Sequence, residues 1–331
     1  MNILITGATG FIGRHLLKQL IQEGHHCRCL VRSLVNKDEL FNNSNVRLFQ
    51  GDVTKPGTLM RMAKGIDVAY HLAAAGHVTS VSKESYKAFF SLNVQGTKNI
   101  AETCGQNGVK RFIHFSSTAA MGLIKLPKID ETAPCQPKTP YQKSKYESEL
   151  AAFEAGGKFG MEVIVLRPCM VYGPGGKGQF LNFCRLIKKG IFPRVGLGEN
   201  LTPIVHVNDV VQAAVRALFK GKPGEIYLIA SETSPPLVDI HKFIAQALKI
   251  KRPYFYVPLW IGYMGAFLLE GVSTIYRRDP IVSRKNIIST VTGRVFDIHK
   301  AQTELSYHPN EDLRRGIQET VAWFQTNDLL T

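Results

Sequence analysis

The opening stretch, Asn2 to Gly24 (NILITGATGFIGRHLLKQLIQEG), constrains the fold more than any other part of the chain. Ile3, Leu4 and Ile5 form a short apolar run of β-forming residues. Thr6-Gly7-Ala8-Thr9-Gly10 supplies a turn whose glycines permit unusual backbone angles and close approach. Ile12, Leu16, Leu17, Leu20 and Ile21 recur at helical spacing and share one face, and Gly24 is a helix stop. The unit is strand, glycine turn, helix. It presents free backbone N–H groups and the positive end of a helix dipole to an anion. A dinucleotide pyrophosphate is the usual guest of such a unit. Gly7, Thr9, Gly10, Phe11, Ile12 and Gly13 are therefore the candidate phosphate-binding residues, on a Gly-x-x-Gly-x-x-Gly spacing. A turn that serves only helix–sheet packing is the alternative.

Strand-like runs at His26–Arg32, Val46–Gln50, Val68–His71, Arg111–Ser116 and Glu162–Arg167 follow. Helical patterns near Pro56–Lys64, Ser85–Gln106 and Tyr141–Gly160 lie between them. This alternation predicts an α/β fold: a doubly wound parallel sheet with right-handed crossovers and ligands at the carboxyl ends of its strands. From Gly173 the pattern changes. A GPGGKG loop leads to a helix at Phe180–Lys189, then a helix at Asn208–Lys220 and a further strand of the main sheet at Gly224–Ala230. Helices at Leu237–Leu248 and Asp312–Thr326 complete the chain. The expected division is a dinucleotide-binding domain over 1–172 plus 202–230 and a smaller discontinuous lobe over 173–201 plus 231–331.

Tyr141 and Lys145 stand one helical turn apart in YQKSK and face one way. A free phenol has a pKa near ~10, too high for easy proton exchange at neutral pH, and a neighbouring ammonium favours the phenolate. Lys145 can also hydrogen-bond a cofactor ribose. Ser116-Ser117-Thr118 ends the HFSS strand, where a hydroxyl can meet a substrate carbonyl or alcohol. Serine, tyrosine and lysine together form a proton-transfer set for hydride chemistry at a carbinol carbon.

TGATGFIG, GDV at 51–53, HLAA at 71–74, NVQGTKNI at 93–100, FSSTAAMG, YQKSK, LRPCMVYGPG and VHVNDV occur in this order. With them the chain resembles, over essentially its whole length, the extended short-chain dehydrogenase/reductase family. The resemblance implies a Rossmann domain carrying a small C-terminal substrate lobe. It implies that Gly7, Gly10 and Gly13 hold a pyrophosphate, that Asp52 and Val53 flank adenine, and that Ala73 lines the cofactor groove. Pro168 and Val171 then sit near the nicotinamide. Ser117, five residues before Gly122, matches the active-site serine, with Thr118 ranked second. Tyr141 matches the acid/base, Lys145 its partner, and Asn93 a helix asparagine of structural role.

Departures from the family pattern bear on the substrate. Ala119-Ala120 follow Thr118 where dehydratases carry an Asp-Glu pair. Met170 stands where many sugar-nucleotide enzymes have asparagine, and Thr202 where they often have arginine. The C-terminal part, with VPLW, an apolar run and DPIVSR, is more similar to 3β-hydroxysteroid dehydrogenase-like members. An apolar alcohol or ketone is the expected substrate. A sugar-nucleotide epimerase or reductase is the alternative, in which Lys177, Arg185 or Arg194 takes the phosphate. A non-catalytic cofactor sensor is a third reading, against which the intact Ser117/Tyr141/Lys145 set speaks. The second strand ends Leu30-Val31-Arg32-Ser33, and an arginine there accommodates a 2′-phosphate, so NADP(H) is favoured while NAD(H) stays open. Arg14 adds charge just inside the first helix.

Charge and cysteines narrow the setting. The chain carries 41 Lys+Arg against 26 Asp+Glu, a net +15, which suits anionic partners or a basic solvated surface. It shows no zinc-finger or RNP-type motif and no block of like charges, so nucleic acid is not an expected partner. The ten histidines form no metal-ligand spacing, so no structural metal is expected. Six scattered cysteines without a CxxC pair read as reduced thiols in a cytoplasmic protein, Cys27 and Cys29 serving the core. No basic leader precedes the first strand. A homodimer is compatible with the chain. Tyr254–Tyr276 is long and apolar, flanked by Lys251-Arg252 and Arg277-Arg278. Its core, Val257 to Leu269, is shorter than the ~20 residues a membrane span needs. A buried helix of the smaller lobe is one reading. A helix at the substrate entrance in peripheral contact with a membrane through 257–269 is the other.

Overall fold

Each apolar run of the first half becomes a strand: β1 (Asn2–Thr6), β2 (His26–Val31), β3 (Val46–Gln50), β4 (Val68–His71), β5 (Arg111–Phe115) and β6 (Glu162–Pro168). These, with β10 below, are the strands of the central sheet in a computed structural model that describes residues 1–34, 39–76, 83–124, 126–251, 255–275, 287–288 and 291–330. Arg252, Tyr254, Arg277, Arg278 and the DPIVSR segment, singled out in the sequence, lie outside the described residues.

Further along the chain come β7 (Met170–Tyr172), β8 (Pro193–Val195), β9 (Ile204–His206), β10 (Ile226–Ile229) and β11 (Phe255–Val257). The central sheet has seven strands in the order β10-β6-β5-β4-β1-β2-β3, and every neighbouring pair is parallel. Ile3 of β1 stands between Cys27 of β2 and Val68 of β4. The chain winds outward from β1 in one direction through β2 and β3, then returns to wind through β4, β5 and β6. The reversal opens a crevice at the carboxyl ends of β1 and β4, where open α/β sheets bind ligands.

The helices are α1 (Phe11–Gln22), α2 (Lys83–Phe89), α3 (Gly96–Gln106), α4 (Pro140–Phe159), α5 (Gln179–Lys188), α6 (Val207–Lys220), α7 (Leu237–Leu248), α8 (Leu259–Ile275), α9 (His299–Leu305) and α10 (Leu313–Thr326). A π-helical segment, Phe90–Gln95, joins α2 to α3. Burial on both faces explains the near-continuous apolar strands. Ile3, Ile5, Ile113 and Leu166 point to a core shared with Leu16, Leu17 and Leu20 of α1 and Val210, Ala214 and Ala217 of α6. Leu4, Phe112, Val163 and Val165 point the other way, to Ile100 and Cys104 of α3 and Ala152 and Ala155 of α4. Cys27 and Cys29 are buried in the first of these cores, as their spacing predicts.

A third cluster joins Phe180, Cys184 and Ile187 of α5, Ile240 and Ile244 of α7, and Ile317, Val321 and Phe324 of α10. Two short parallel pairs, β7 with β9 and β8 with β11, connect this part to the strand ends. One expected helix does not form. Pro56–Lys64 yields a single tight turn at Pro56–Thr58. There Thr58 Oγ1 donates to the Lys55 carbonyl at 2.8 Å, and Gly65 takes a φ of +71°. Leu59, Met62 and Ala63 are nonetheless buried, so their spacing reports burial without a helix.

The glycine turn has a steric reason for its composition. Gly7 has φ +75°, and a Cβ on it would lie 2.7 Å from the Ala73 backbone nitrogen. A Cβ on Gly13 would lie 2.2 Å from the Gly7 carbonyl oxygen. Helix α1 can therefore reach the end of β1 only with a hydrogen at residue 13. Gly13→Ala is expected to destabilise the fold by about 1–3 kcal/mol, the usual cost of overpacking, and to remove dinucleotide binding. Gly57→Ala, whose added carbon meets nothing within 4 Å, is the neutral control. Thermal unfolding and cofactor titration check both.

Candidate active site

Helix α4 begins with a reciprocal cap. Thr139 Oγ1 accepts from the Gln142 backbone N–H, and the Gln142 side chain accepts from the Thr139 backbone. Pro140 occupies the first turn, where its missing N–H costs nothing. The helix is thereby fixed in register over the ends of β5 and β6. Tyr141, Lys145, Ser148 and Glu149 follow, Lys145 four residues after Tyr141 and Ser148 and Glu149 three and four after Lys145, and all turn towards those strand ends.

Tyr141 packs edge-on against Phe89, with ring centroids 5.6 Å apart, and its phenol hydrogen-bonds Ser117. Burial pushes the phenol above its ordinary value, and the Ser117 hydrogen bond works in the opposite direction. The lowering by Lys145 expected from the sequence does not set the phenol here, because burial dominates. Lys145, only 3% exposed, donates from Nζ to the Phe115 carbonyl at 2.7 Å. Burial lowers its ammonium to about 8, and the Glu149 carboxylate opposes that shift. Ser117 has extended backbone angles, and its Oγ accepts from the Ala119 N–H at 3.2 Å. Thr118, ranked second, is buried in the turn Thr118–Met121.

Residues the motifs did not single out hold this group in place. Glu149 receives Arg167 through two hydrogen bonds, Nε to Oε1 at 2.9 Å and Nη2 to Oε2 at 2.6 Å, and it also receives the Ser116 hydroxyl. Both ion-pair side chains are fully buried. Their signal in the sequence is Glu149, four residues after Lys145, with an arginine inside an apolar strand. Asn93, expected to be structural, accepts from the Ala75 N–H at 2.7 Å and donates to Ser144 Oγ at 2.9 Å. Ser144 in turn donates to the Tyr141 carbonyl at 2.9 Å. The π-helical turn carrying Asn93 thus pins the start of α4, a use that π-bulges often have at functional sites.

Two neutral histidines lie beneath. His71 bridges Thr6 Oγ1 (2.6 Å) and Thr97 Oγ1 (2.9 Å), and burial lowers it to about 3. His114 meets Ser148 Oγ at 2.9 Å and stacks on His71 with centroids 5.5 Å apart. The same Thr6 hydroxyl accepts from the Ala73 N–H at 3.2 Å, which sets Ala73 at the rim of the crevice.

The candidate cofactor residues ring the same edge. Thr9 and Gly10 are exposed at the start of α1, and Gly10 caps the helix with no side-chain hydrogen bond. Phe11 lies beside Gly176 of the GPGG loop, whose Pro174 carbonyl meets His15 Nε2 at 2.8 Å. Ile12 packs against the core below. Arg32 is exposed at the end of β2, near enough for its charge to act on Asp52. The Asp52 carboxylate accepts from the Thr54 N–H and hydroxyl at 2.9 and 2.8 Å, which holds it below the usual carboxylate range. Val53 is buried under Gly96, and its carbonyl accepts from Asn99 Nδ2 at 2.8 Å. Pro168 ends β6, and Val171 lies in the middle of β7.

Residues 3–230 match the model of the NAD dependent epimerase/dehydratase family. The chain belongs to that family. It is accordingly an NAD(P)-dependent enzyme of the extended short-chain dehydrogenase/reductase type. Curated relatives divide between two chemistries. A UDP-glucose 4-epimerase of Vibrio cholerae is 29% identical over 99% of this chain and 97% of its own. A 3beta-hydroxysteroid-dehydrogenase/decarboxylase isoform of Arabidopsis thaliana is 26% identical over 97% of this chain and 79% of its own. Among solved structures, the dTDP-glucose 4,6-dehydratase DesIV of Streptomyces venezuelae, with NAD and TYD bound, superposes with a TM-score of 0.80. It is 26% identical, over 99% of this chain and 98% of that one. The Rossmann sheet and family membership predicted from the motifs stand, while the relatives leave the substrate class divided.

If Tyr141 moves the proton, Tyr141→Phe lowers turnover by about 10²–10⁴-fold and leaves cofactor affinity unchanged. Retention of more than about a tenth of the wild-type rate removes the assignment. Lys145, with its ammonium near 8, is charged below that pH and loses its proton above it. Binding that depends on the charged form weakens in proportion to the fraction lost, so the cofactor Kd rises about tenfold from pH 7 to pH 9. Lys145→Met removes this dependence, which titrations at the two pH values check.

Proposed function

We propose that the enzyme interconverts a secondary alcohol and a ketone on an apolar substrate, with NADP(H) as its favoured cofactor. The observation that carries the reaction type is the buried Ser117–Tyr141 hydrogen bond beside Lys145 at the strand ends. The cradle fits a dinucleotide: Gly7 and Gly13 leave no room for a side chain, and the first N–H groups of α1 carry no side-chain cap. A bound nicotinamide supplies or accepts the hydride. This chain's residues handle the proton. Ser117 Oγ orients the substrate oxygen, and the Tyr141 O–H donates to that oxygen as it gains charge. In the reverse direction the phenolate takes the proton back. Burial keeps the phenol protonated at neutral pH, and the Lys145 ammonium stabilises the phenolate once it forms.

Arg32 supports the cofactor preference. A guanidinium at the end of the second strand can pair with a 2′-phosphate, and Arg14 adds positive charge from α1. Charge-assisted hydrogen bonds of this kind contribute about 1.5–3 kcal/mol, roughly ten- to hundredfold in affinity. Arg32→Asp is expected to weaken NADP(H) by at least about tenfold and to leave NAD(H) equal or tighter. Tighter NAD(H) binding by the wild type would overturn the preference.

Met170 and Thr202 support the apolar substrate. A diphosphate needs cationic partners, and neither residue is one. Met170 is half-buried in β7 opposite Ile204 and presents a soft apolar surface. Phe180 and Phe192, aromatic residues of the smaller lobe, are buried in that lobe's own core. One observation favours the sugar-nucleotide reading instead. The Arg294 backbone donates to the Leu201 carbonyl at 2.9 Å, which sets Arg294 beside Thr202. Its buried Nε has no hydrogen-bond partner among the described residues. An arginine from the C-terminal segment can there replace the one missing at residue 202.

Calorimetric titration of the cofactor-loaded enzyme with UDP, a UDP-hexose and a 3β-hydroxysteroid separates the two. Binding of the steroid, unaffected by Arg294→Met, is expected. Micromolar binding of the UDP compounds, lost in Arg294→Met, reverses the ranking.

A further inference from the structure

Helix α8 presents apolar side chains to solvent. Trp260 is 66% exposed and Leu268 62%, and Leu259, Met264 and Phe267 are exposed as well. At 100° per residue, the exposed positions Leu259 to Ile261 alone span an arc of about 200°. A narrow stripe of the described side chains faces the protein: Ala266 is buried, and Gly262 is close enough to Val195 of β8 that a Cβ would lie 3.0 Å away. Beside the helix is an open apolar groove of about 820 Å³, lined by Tyr256, Trp260, Tyr263, Ile287 and Val291 among others. The exposed Phe255 and Ile191 extend the same apolar surface onto the β8–β11 pair.

We propose that this face docks on an anionic lipid bilayer, with α8 lying in the interface. Three observations select that partner. The apolar arc is about twice the ~100° stripe that packing against one protein surface covers, whereas a fluid layer surrounds a helix over a wide arc. Tyr256, Trp260 and Tyr263 are amphipathic rings suited to the headgroup level. Cations stand at the margins: Lys188 and Lys189 precede Ile191, Lys251 precedes β11, and the whole chain carries +15. Each such cation near an anionic surface adds to the attraction. The helix does not cross. Its 17 residues reach about 25 Å at 1.5 Å each, against a hydrocarbon core of about 30 Å. No helix among the described residues is long and apolar enough to span a membrane.

The chain has two tryptophans, so Trp323→Phe leaves Trp260 as the sole fluorescent reporter. This protein is mixed with phosphatidylcholine vesicles, with and without phosphatidylglycerol. A blue shift of Trp260 and co-sedimentation with the anionic vesicles are expected. Adding Phe267→Ser and Leu268→Ser should lower vesicle affinity at least about tenfold, since each side chain forfeits most of its apolar transfer. Cofactor affinity and thermal midpoint should stay unchanged. Lys188→Glu, Lys189→Glu and Lys251→Glu together should abolish the preference for anionic vesicles. The proposal falls if the anionic vesicles do not bind, or if neutral vesicles bind equally well. It also falls if Trp260 is already blue-shifted without lipid, in a dimer that the two serines dissociate; the face then belongs to a second copy of the chain.

Discussion

Burial of polar groups under helix α4 governs the rest of the site. Lys145 and Glu149 are removed from water on the inner face of one helix, and neither could stay charged there alone. Arg167 answers Glu149 from β6, the Phe115 carbonyl answers Lys145 from β5, and Ser116 closes the link between them. Such a buried ion pair adds little net stability, since desolvation offsets most of its attraction. Its effect is positional. It ties α4 to the ends of two neighbouring strands, and with α4 it fixes Tyr141 relative to Ser117.

The opposite protonation tendencies of Tyr141 and Lys145 follow from that burial. Desolvation disfavours charge on each, so it raises the phenol and lowers the ammonium. Their order is thereby inverted: the ammonium, ordinarily the slightly weaker acid of the two, now loses its proton well before the phenol does. At neutral pH Lys145 therefore still carries most of its charge, and an ammonium is the form that favours a neighbouring phenolate. His71 and His114, buried just beneath, are kept neutral by the same desolvation and by the lysine's charge. They add no competing charge and serve as hydrogen-bonding struts between strand ends and helices.

The sheet and the glycine turn were legible in the sequence because local rules set them. Apolar runs bounded by turns became strands within a residue or two, and Gly7 and Gly13 mark contacts that only glycine allows. Tyr141, Lys145 and Ser117 were legible as a spaced motif. Glu149 and Arg167 were not, because their meeting depends on β6 lying beside β5 and under α4, a contact between distant positions. The Pro56–Lys64 error has a similar origin: Leu59, Met62 and Ala63 have helical spacing, but a loop can bury the same residues. Helix α8 was recognised as apolar. Whether an apolar helix faces a core or solvent depends on its neighbours, and here Ala266 is buried and Gly262 packs near Val195 while Leu259, Trp260, Ile261 and Leu268 stay exposed.

On the proposed reading, chemistry and specificity fall to different parts of this chain. Ser117, Tyr141 and Lys145 stand on α4 and at the end of the main sheet, which a seven-stranded parallel core holds rigidly. Met170, Thr202 and Arg294 lie on short strands and connections outside it, where a substitution can be made without disturbing that core. This separation explains how relatives of similar identity carry the names of an epimerase and a steroid dehydrogenase. Residue 202 is an uncharged threonine, and Arg294 stands beside it with a buried Nε that has no hydrogen-bond partner among the described residues. A buried donor left unsatisfied is costly. On the proposed reading, the apolar surface of Met170 favours one substrate class and the unpartnered Nε of Arg294 the other, and both residues can be varied independently of Ser117, Tyr141 and Lys145.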